Sequence, residues 1–185
     1  MFRSVSLLML IAALSHTASA QAAGPQVAGA LDRVHAEVEA DHPGVAHITA
    51  GELRELDASQ TLVFDVREAR EYAVSRIAGA VRLDPSVTLA EFVREHADAV
   101  EGKTVVLYCS VGRRSSRLAE ALDGALSEHG AAGVRNLAGG IFHWANTDLP
   151  LVTPSGADTT KVHPFNPFWG RLVADPEDRA YRPEN

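Results

Sequence analysis

The chain has 185 residues, of which 46% are hydrophobic and 22% charged, with 17 basic and 24 acidic side chains and a formal charge of −7. This composition fits one globular domain with a substantial core plus some extension, and it argues against two domains. No block of lysines and arginines is present that could follow a phosphate backbone, so nucleic acid is excluded as a partner, and membrane binding is equally unsupported.

Residues 1–20 have the pattern of a secretion signal. Arg3 gives a positive start, residues 5–14 are apolar, and Ala18-Ser19-Ala20 forms an A-x-A cleavage site. A stretch of about ten apolar residues is too short for a bilayer core that needs roughly 20. We therefore expect cleavage, no remaining membrane span and export to a bacterial periplasm. Removal of the signal takes away one basic residue and no acid, which leaves 16 basic against 24 acidic residues and a formal charge of −8.

Hydrophobic spacing predicts strands that alternate with helices along the chain. Residues 21–44 form a lead-in segment with a helix, and Thr49 with Glu52 forms a capping box at the start of the next helix. The further predictions, in chain order, are a strand at 62–66, a helix at 68–75, a strand at 77–83, a helix at 89–100, a strand at 104–108, a helix that begins near 115 and has an apolar face over 118–126, and a strand at 134–137. This pattern predicts an α/β domain over residues 45–152, with a central parallel β-sheet and helices on both faces.

Residues 153–185 have no long regular pattern, because prolines interrupt them at five positions. Phe165, Phe168, Trp169 and Leu172 are nevertheless too apolar for a free tail. We expect an extension that packs over the domain and covers an apolar patch. A lid or a docking site for a partner is the alternative.

The only cysteine, Cys109, follows the strand at 104–108 and precedes a glycine- and arginine-containing loop that leads into a helix beginning near Ser115. Exported proteins normally pair their cysteines, so a single one is either a buried bystander or a reactive thiol. The residues of the loop favour a reactive thiol. Gly112 allows a tight curl that turns amides inward, and Arg113 and Arg114 add positive charge, which together lower a thiol pKa. The prediction requires the sulfur to be ionised and accessible.

Four blocks of the sequence resemble the rhodanese-like sulfurtransferases. In chain order they are Asp65-Val66-Arg67-Glu68 with Glu71-Tyr72, Ile77-Ala78-Gly79-Ala80-Val81, Cys109-Ser110-Val111-Gly112-Arg113-Arg114-Ser115, and Leu137-Ala138-Gly139-Gly140-Ile141 with Trp144. The resemblance implies a rhodanese-like fold and a transfer of sulfane sulfur, from a donor such as thiosulfate, through a persulfide on Cys109. The donor is a small sulfur-containing anion, and the acceptor is a thiol or a cyanide-like nucleophile.

The resemblance also implies roles for the residues around Cys109. The family places Asp65 beside the loop, where it helps to organise it, whereas the residue alone is typical of a turn or helix cap. Arg67 is expected to be a structural ion-pair partner rather than a substrate ligand. Gly139 and Gly140 are expected to serve close packing and turning. The residues expected to bind substrate are those of the loop, namely Ser110, Val111, Gly112, Arg113, Arg114 and Ser115. Ser75-Arg76 replaces the Gly-His pair of many family members, which affects local packing more than catalysis.

No cofactor and no metal are expected. The seven histidines of the mature chain lack the spacing of a metal motif, and one cysteine cannot complete a zinc site.

Three other functions stay open. Cysteine phosphatases of a related fold place Arg after Cys and five residues, whereas Arg114 follows Cys109 after four and Ser115 takes the required position. A non-catalytic binding module would present a surface to an envelope partner, with an incidental thiol. A sulfur carrier loaded by a partner protein would have the same sequence as the enzyme.

Overall fold

The computed structural model describes residues 25–183, so the predicted signal at residues 1–20 lies outside the described part. Seven α-helices and seven strands are present within this range. The helices are α1 Pro25–Asp41, α2 Ala50–Glu55, α3 Ala69–Val74, α4 Leu89–Val100, α5 Arg113–Glu128, α6 Gly140–Asn146 and α7 Pro167–Gly170. The strands are β1 Ala46–Ile48, β2 Thr61–Asp65, β3 Val81–Arg82, β4 Thr104–Tyr108, β5 Gly133–Leu137, β6 Leu151–Val152 and β7 Asp158–Thr159.

Five parallel strands form the central sheet in the order β1-β5-β4-β2-β3. Strand β4 is in the middle and is fully buried from Val105 to Tyr108, as expected for a strand covered on both faces. One apolar cluster contains side chains of α4 and α5, and another contains side chains of α1, α2 and α6. The predicted α/β fold with a central parallel sheet and helices on both faces is confirmed. No helix within residues 25–183 is long and apolar enough to span a bilayer.

The predicted strand at 77–83 is wrong in its length. Only Val81 and Arg82 pair with β2, because the backbone turns through Gly79 at φ 77° and the amide of Ala80 donates to the carbonyl of Ile77. The start of α5 also differs from the prediction. The helix begins at Arg113, with Gly112 as its N-cap at φ 95°, so the loop after β4 has four residues and not six.

Residues 153–183 pack against the face of the sheet that carries α1, α2 and α6. Val162 and Val173 are fully buried in the same apolar cluster as Phe142 of α6. The Asn146 side chain fixes the segment further, since it donates to the carbonyl of Leu172 and accepts from the amide of Ala174. The segment is therefore part of the domain's core.

Candidate active site

The loop that follows β4 places Cys109 at the carboxyl end of the central strand, where parallel sheets hold their ligands. The first amides of α6 fasten this loop, because Ile141 donates to the carbonyl of Cys109 at 2.9 Å and Phe142 to that of Ser110 at 3.1 Å. Gly140 makes this approach possible. A Cβ atom at Gly140 would lie 2.4 Å from the carbonyl oxygen of Cys109, and the φ of Gly140 is 59°. Because it has no side chain, Gly140 allows the start of α6 to pack directly against the loop.

The sulfur of Cys109 lies among groups that stabilise a negative charge. Burial raises the pKa of the thiol, but the guanidinium of Arg114 and hydrogen bonds from the backbone amides of Ser115 and Val111 outweigh this effect and lower the pKa below its ordinary value. The site is therefore suited to hold a thiolate.

The accessible sulfur expected from the sequence is not observed, because Cys109 is only 1% exposed. The same groups that favour the thiolate also enclose it, since the loop amides, Ser115 and Arg114 all contact the sulfur. A donor can reach it only after a local opening of this enclosure.

Arg114 is held in place by a carboxylate that the sequence analysis did not assign to the site. Glu71 of α3 accepts two hydrogen bonds from the Arg114 guanidinium, at 2.8 and 2.9 Å, and a third from the Ser110 hydroxyl at 2.9 Å. Glu71 is fully buried; burial raises its pKa, and Arg114 reverses this and lowers the pKa overall. This two-point pairing orients the guanidinium and leaves it charged beside the sulfur.

The other predicted loop residues divide into two groups. Ser115 faces inward, and its hydroxyl donates to the Asn136 side chain at 2.6 Å, which connects the start of α5 to β5. Arg113 turns away from the sulfur and forms ion pairs with Glu37 and Asp41 of α1. The structure therefore brings Ser110, Val111, Arg114 and Ser115 together around Cys109 but not the side chain of Arg113.

Asp65 and Arg67 form a fully buried ion pair beneath the loop. Asp65 also accepts a hydrogen bond of 2.7 Å from the hydroxyl of Tyr108, the residue that precedes Cys109. Arg67 donates to the carbonyl of Ser75. Although burial disfavours the cation, Asp65 raises the pKa of Arg67 further. Arg67 therefore stays charged. Through Tyr108, the ion pair connects the ends of β2 and β4.

The segment after β7 covers one side of this site. The ring of Phe165 lies 5.0 Å from the Arg114 guanidinium carbon, and His163 is buried close enough to Glu71 for that carboxylate to influence its titration. Burial lowers the pKa of His163, which favours a neutral ring. These residues could not be assigned to the site from the sequence, because nothing in their local pattern relates them to a loop more than 50 residues earlier in the chain.

Within the described range, no group of three or more His, Cys, Asp or Glu side chains is arranged to hold a metal ion. The chemistry that the site supports is nucleophilic. A thiolate at the end of a central parallel strand, held by amides and one guanidinium, can attack an electrophilic atom and hold the resulting anion.

This combination of fold and site defines an α/β protein with a reactive cysteine in the loop of residues 109–112, which we call the thiolate loop. The family model for the Rhodanese-like domain matches residues 49–147. The chain therefore belongs to the family of rhodanese-like domains, as the sequence blocks predict, and the family supports sulfurtransferase-type chemistry.

The chain is similar to the Uncharacterized protein slr1261 of Synechocystis, at 31% identity over 129 residues, which are 70% of this chain and 66% of that protein. It is also similar to the tRNA uridine(34) hydroxylase of Bacillus velezensis, at 37% identity over 83 residues, 44% of this chain but only 24% of that protein. Among solved structures, the thiosulfate sulfurtransferase from Pseudomonas aeruginosa has a TM-score of 0.51 at 19% identity, covering 77% of this chain and 26% of that one. At that identity the likeness shows the fold alone.

Proposed function

We propose that this chain is a sulfurtransferase that accepts a sulfane sulfur from a small anionic donor, such as thiosulfate, on Cys109. The observation that carries the proposal is the position of Cys109 at the end of β4, beside the Arg114 guanidinium that Glu71 holds with two hydrogen bonds. This cation and the loop hydrogen bonds lower the pKa of the thiol despite burial. A lowered pKa increases the fraction of thiolate, and a thiolate attacks without a separate general base.

The proposed reaction has two displacements. The Cys109 thiolate attacks the outer sulfur of thiosulfate, the sulfur–sulfur bond of the donor breaks, and sulfite leaves with the electron pair. The Cys109 persulfide anion that remains is stabilised by the same amides and by Arg114. An acceptor thiol or cyanide then attacks the outer sulfur and returns the thiolate.

The cysteine count supports this route over a dithiol oxidoreductase. Cys109 is the only cysteine of the chain, so no second thiol can resolve the persulfide from within. The bound sulfur must leave to another molecule. The acceptor is a small thiol, a cyanide-like nucleophile or a protein of the cell envelope, in keeping with the proposed export to the periplasm.

The proposal is tested by the mass of the intact mature protein after treatment with thiosulfate. We expect the mass to increase by one sulfur atom and to return to its starting value after cyanide is added, with release of thiocyanate. Cys109→Ser is expected to show no gain. An unchanged mass for the wild-type protein would refute the proposed donor chemistry.

A non-catalytic binding module is the second candidate, and the 1% exposure of Cys109 favours it. The two functions differ in what the thiol contributes. If Cys109→Ser leaves the role of the protein in the cell unchanged, the module is the better description.

Two further activities are less well supported. The spacing of Cys109 and Arg114 disfavours a phosphatase. A comparison of the turnover rates with thiosulfate and with an aryl phosphate distinguishes a phosphatase from a sulfurtransferase. The acidic balance of the chain argues against a tRNA substrate like that in the relative's name.

A further inference from the structure

A groove of about 600 Å³ lies between α1 and α7, on the side of the thiolate loop to which Arg113 points. We propose that this groove binds a small organic anion with an aromatic or aliphatic body. Its walls include Arg33, Val34, Arg113, Trp169, Arg171 and Leu172. The proposal is independent of the sulfurtransferase function, because Arg114 and not Arg113 contacts the sulfur.

The floor and one wall of the groove are apolar. Trp169 and Leu172 pack against the core, Val34 contributes from α1, and Phe168 is 62% exposed at the rim. Volumes of about 300–1,000 Å³ with mainly apolar walls are typical of small-molecule sites. Such walls would hold the body of a ligand and exclude water from it.

The charged side chains around the groove favour a negatively charged ligand. Three arginines line it against one carboxylate, Glu37, in a chain that is acidic overall. Arg113 is neutralised by Glu37 and Asp41, whereas Arg33 and Arg171 form no ion pair with any residue in the range 25–183. Two guanidinium groups are therefore free to bind a carboxylate or a sulfonate, each with two hydrogen bonds.

The arginines also extend over the aromatic rings of the groove. Arg171 lies 5.4 Å from the centre of the Phe168 ring, and Arg113 lies 6.0 Å from that of Trp169. These contacts hold cationic groups next to flat apolar surfaces. A ligand that combines a flat or aliphatic body with one anionic group matches both features at once.

The test compares two fluorescent probes of similar shape, the anionic 8-anilinonaphthalene-1-sulfonate and the neutral N-phenyl-1-naphthylamine. We expect the sulfonate to bind with a dissociation constant at least about tenfold lower than that of the neutral probe. The double variant Arg33→Gln/Arg171→Gln is expected to remove this advantage and to leave binding of the neutral probe unchanged. The variant Trp169→Leu is expected to weaken the binding of both probes.

The matched control is Arg94→Gln/Arg117→Gln, which removes the same charge from exposed positions on α4 and α5 that do not line the groove. It is expected to bind both probes like the wild-type protein. Equal sulfonate binding by the two double variants would overturn the proposal, and so would equal binding of the two probes by the wild type. All the arginines changed are at the surface, so unchanged far-UV circular dichroism verifies that each variant is folded.

Discussion

Burial raises the pKa of the Cys109 thiol, and the charge of Arg114 is the main feature that lowers it. Arg114→Gln removes this cation and leaves the enclosure, so burial is expected to raise the pKa of the thiol. The measurement is the rate of alkylation by iodoacetamide as a function of pH, since the thiolate alone reacts and the rate rises through the thiol pKa. We expect the midpoint of the variant to move to higher pH, and persulfide formation at pH 7 to slow by at least about tenfold.

A change elsewhere on the same helix controls for the loss of charge. Arg117→Gln removes an exposed guanidinium one turn further along α5 and is expected to keep the wild-type midpoint. The same midpoint in Arg114→Gln and in the wild type would show that the loop amides alone set the thiol pKa.

Gly140, the first residue of α6, is a position where a side chain would collide with the loop that holds Cys109. In Gly140→Ala the new Cβ would lie 2.4 Å from the carbonyl of Cys109 and 2.7 Å from that of Ser110, so the loop or α6 must move. We expect a loss in the free energy of unfolding clearly above the roughly 1–2 kcal/mol that alanine costs in left-handed backbone, together with loss of persulfide formation.

The control for this clash is Gly156→Ala. Gly156 also has a positive φ, 86°, but no atom lies within 4 Å of its added Cβ, so only the backbone term applies. Urea denaturation of both variants measures the difference. Equal losses would mean that the contact with Cys109 does not constrain the site.

Residue patterns along the chain predicted the nucleophile but not the group that orients its partner. Cys109 is evident because a lone thiol follows an apolar strand and precedes a loop with glycine and arginine. Glu71 is separated from Arg114 by 43 residues, and its own sequence context indicates only a helix N-terminus. A contact made by the packing of α3 against the loop has no local signature, so only the structure reveals it.

At the scale of elements, the segment that carries Phe165 limits access to the sulfur. Phe165 lies against Arg114, which itself contacts Cys109. Phe165→Ala is therefore expected to increase the rate at which 5,5′-dithiobis(2-nitrobenzoate) modifies the thiol, by several-fold, because less of the enclosure must open.

The neighbouring aromatic residue provides the comparison. Phe168→Ala removes a ring that is 62% exposed and contacts Trp169 and Arg171 rather than Arg114. It is expected to keep the wild-type rate of modification. If both variants react like the wild type, the loop and α5 alone enclose the sulfur.

The elements that the sequence predicted well are those with strong local patterns. Helix α4 and strand β4 have the predicted bounds, because the first has an apolar stripe behind a capping box and the second is a continuous apolar run. Strand β1 and helix α6 were not predicted. The first has three residues and the second seven, and both are defined by contacts with distant parts of the chain, β5 and the Cys109 loop.

At the scale of the whole molecule, residues 153–183 complete one of the two faces of the sheet. The apolar cluster on the face of α1, α2 and α6 includes Val162 and Val173. Among the described residues up to 183, the cluster of α4 and α5 includes no side chain beyond Val134. The two faces therefore differ in how much of their core comes from the C-terminal segment.

This asymmetry predicts the effect of truncation. A chain that lacks residues 154–185 loses two fully buried valines, each worth about 1.5–3 kcal/mol, and uncovers the apolar side chains beneath them. Since the total stability of a domain is about 5–15 kcal/mol, we expect the urea midpoint to fall sharply or the soluble yield to be lost. A shorter truncation of residues 182–185 removes the exposed Arg182 and Pro183 and is expected to unfold at the wild-type midpoint. If the long truncation unfolds at that midpoint as well, the segment is an appendage and not part of the core.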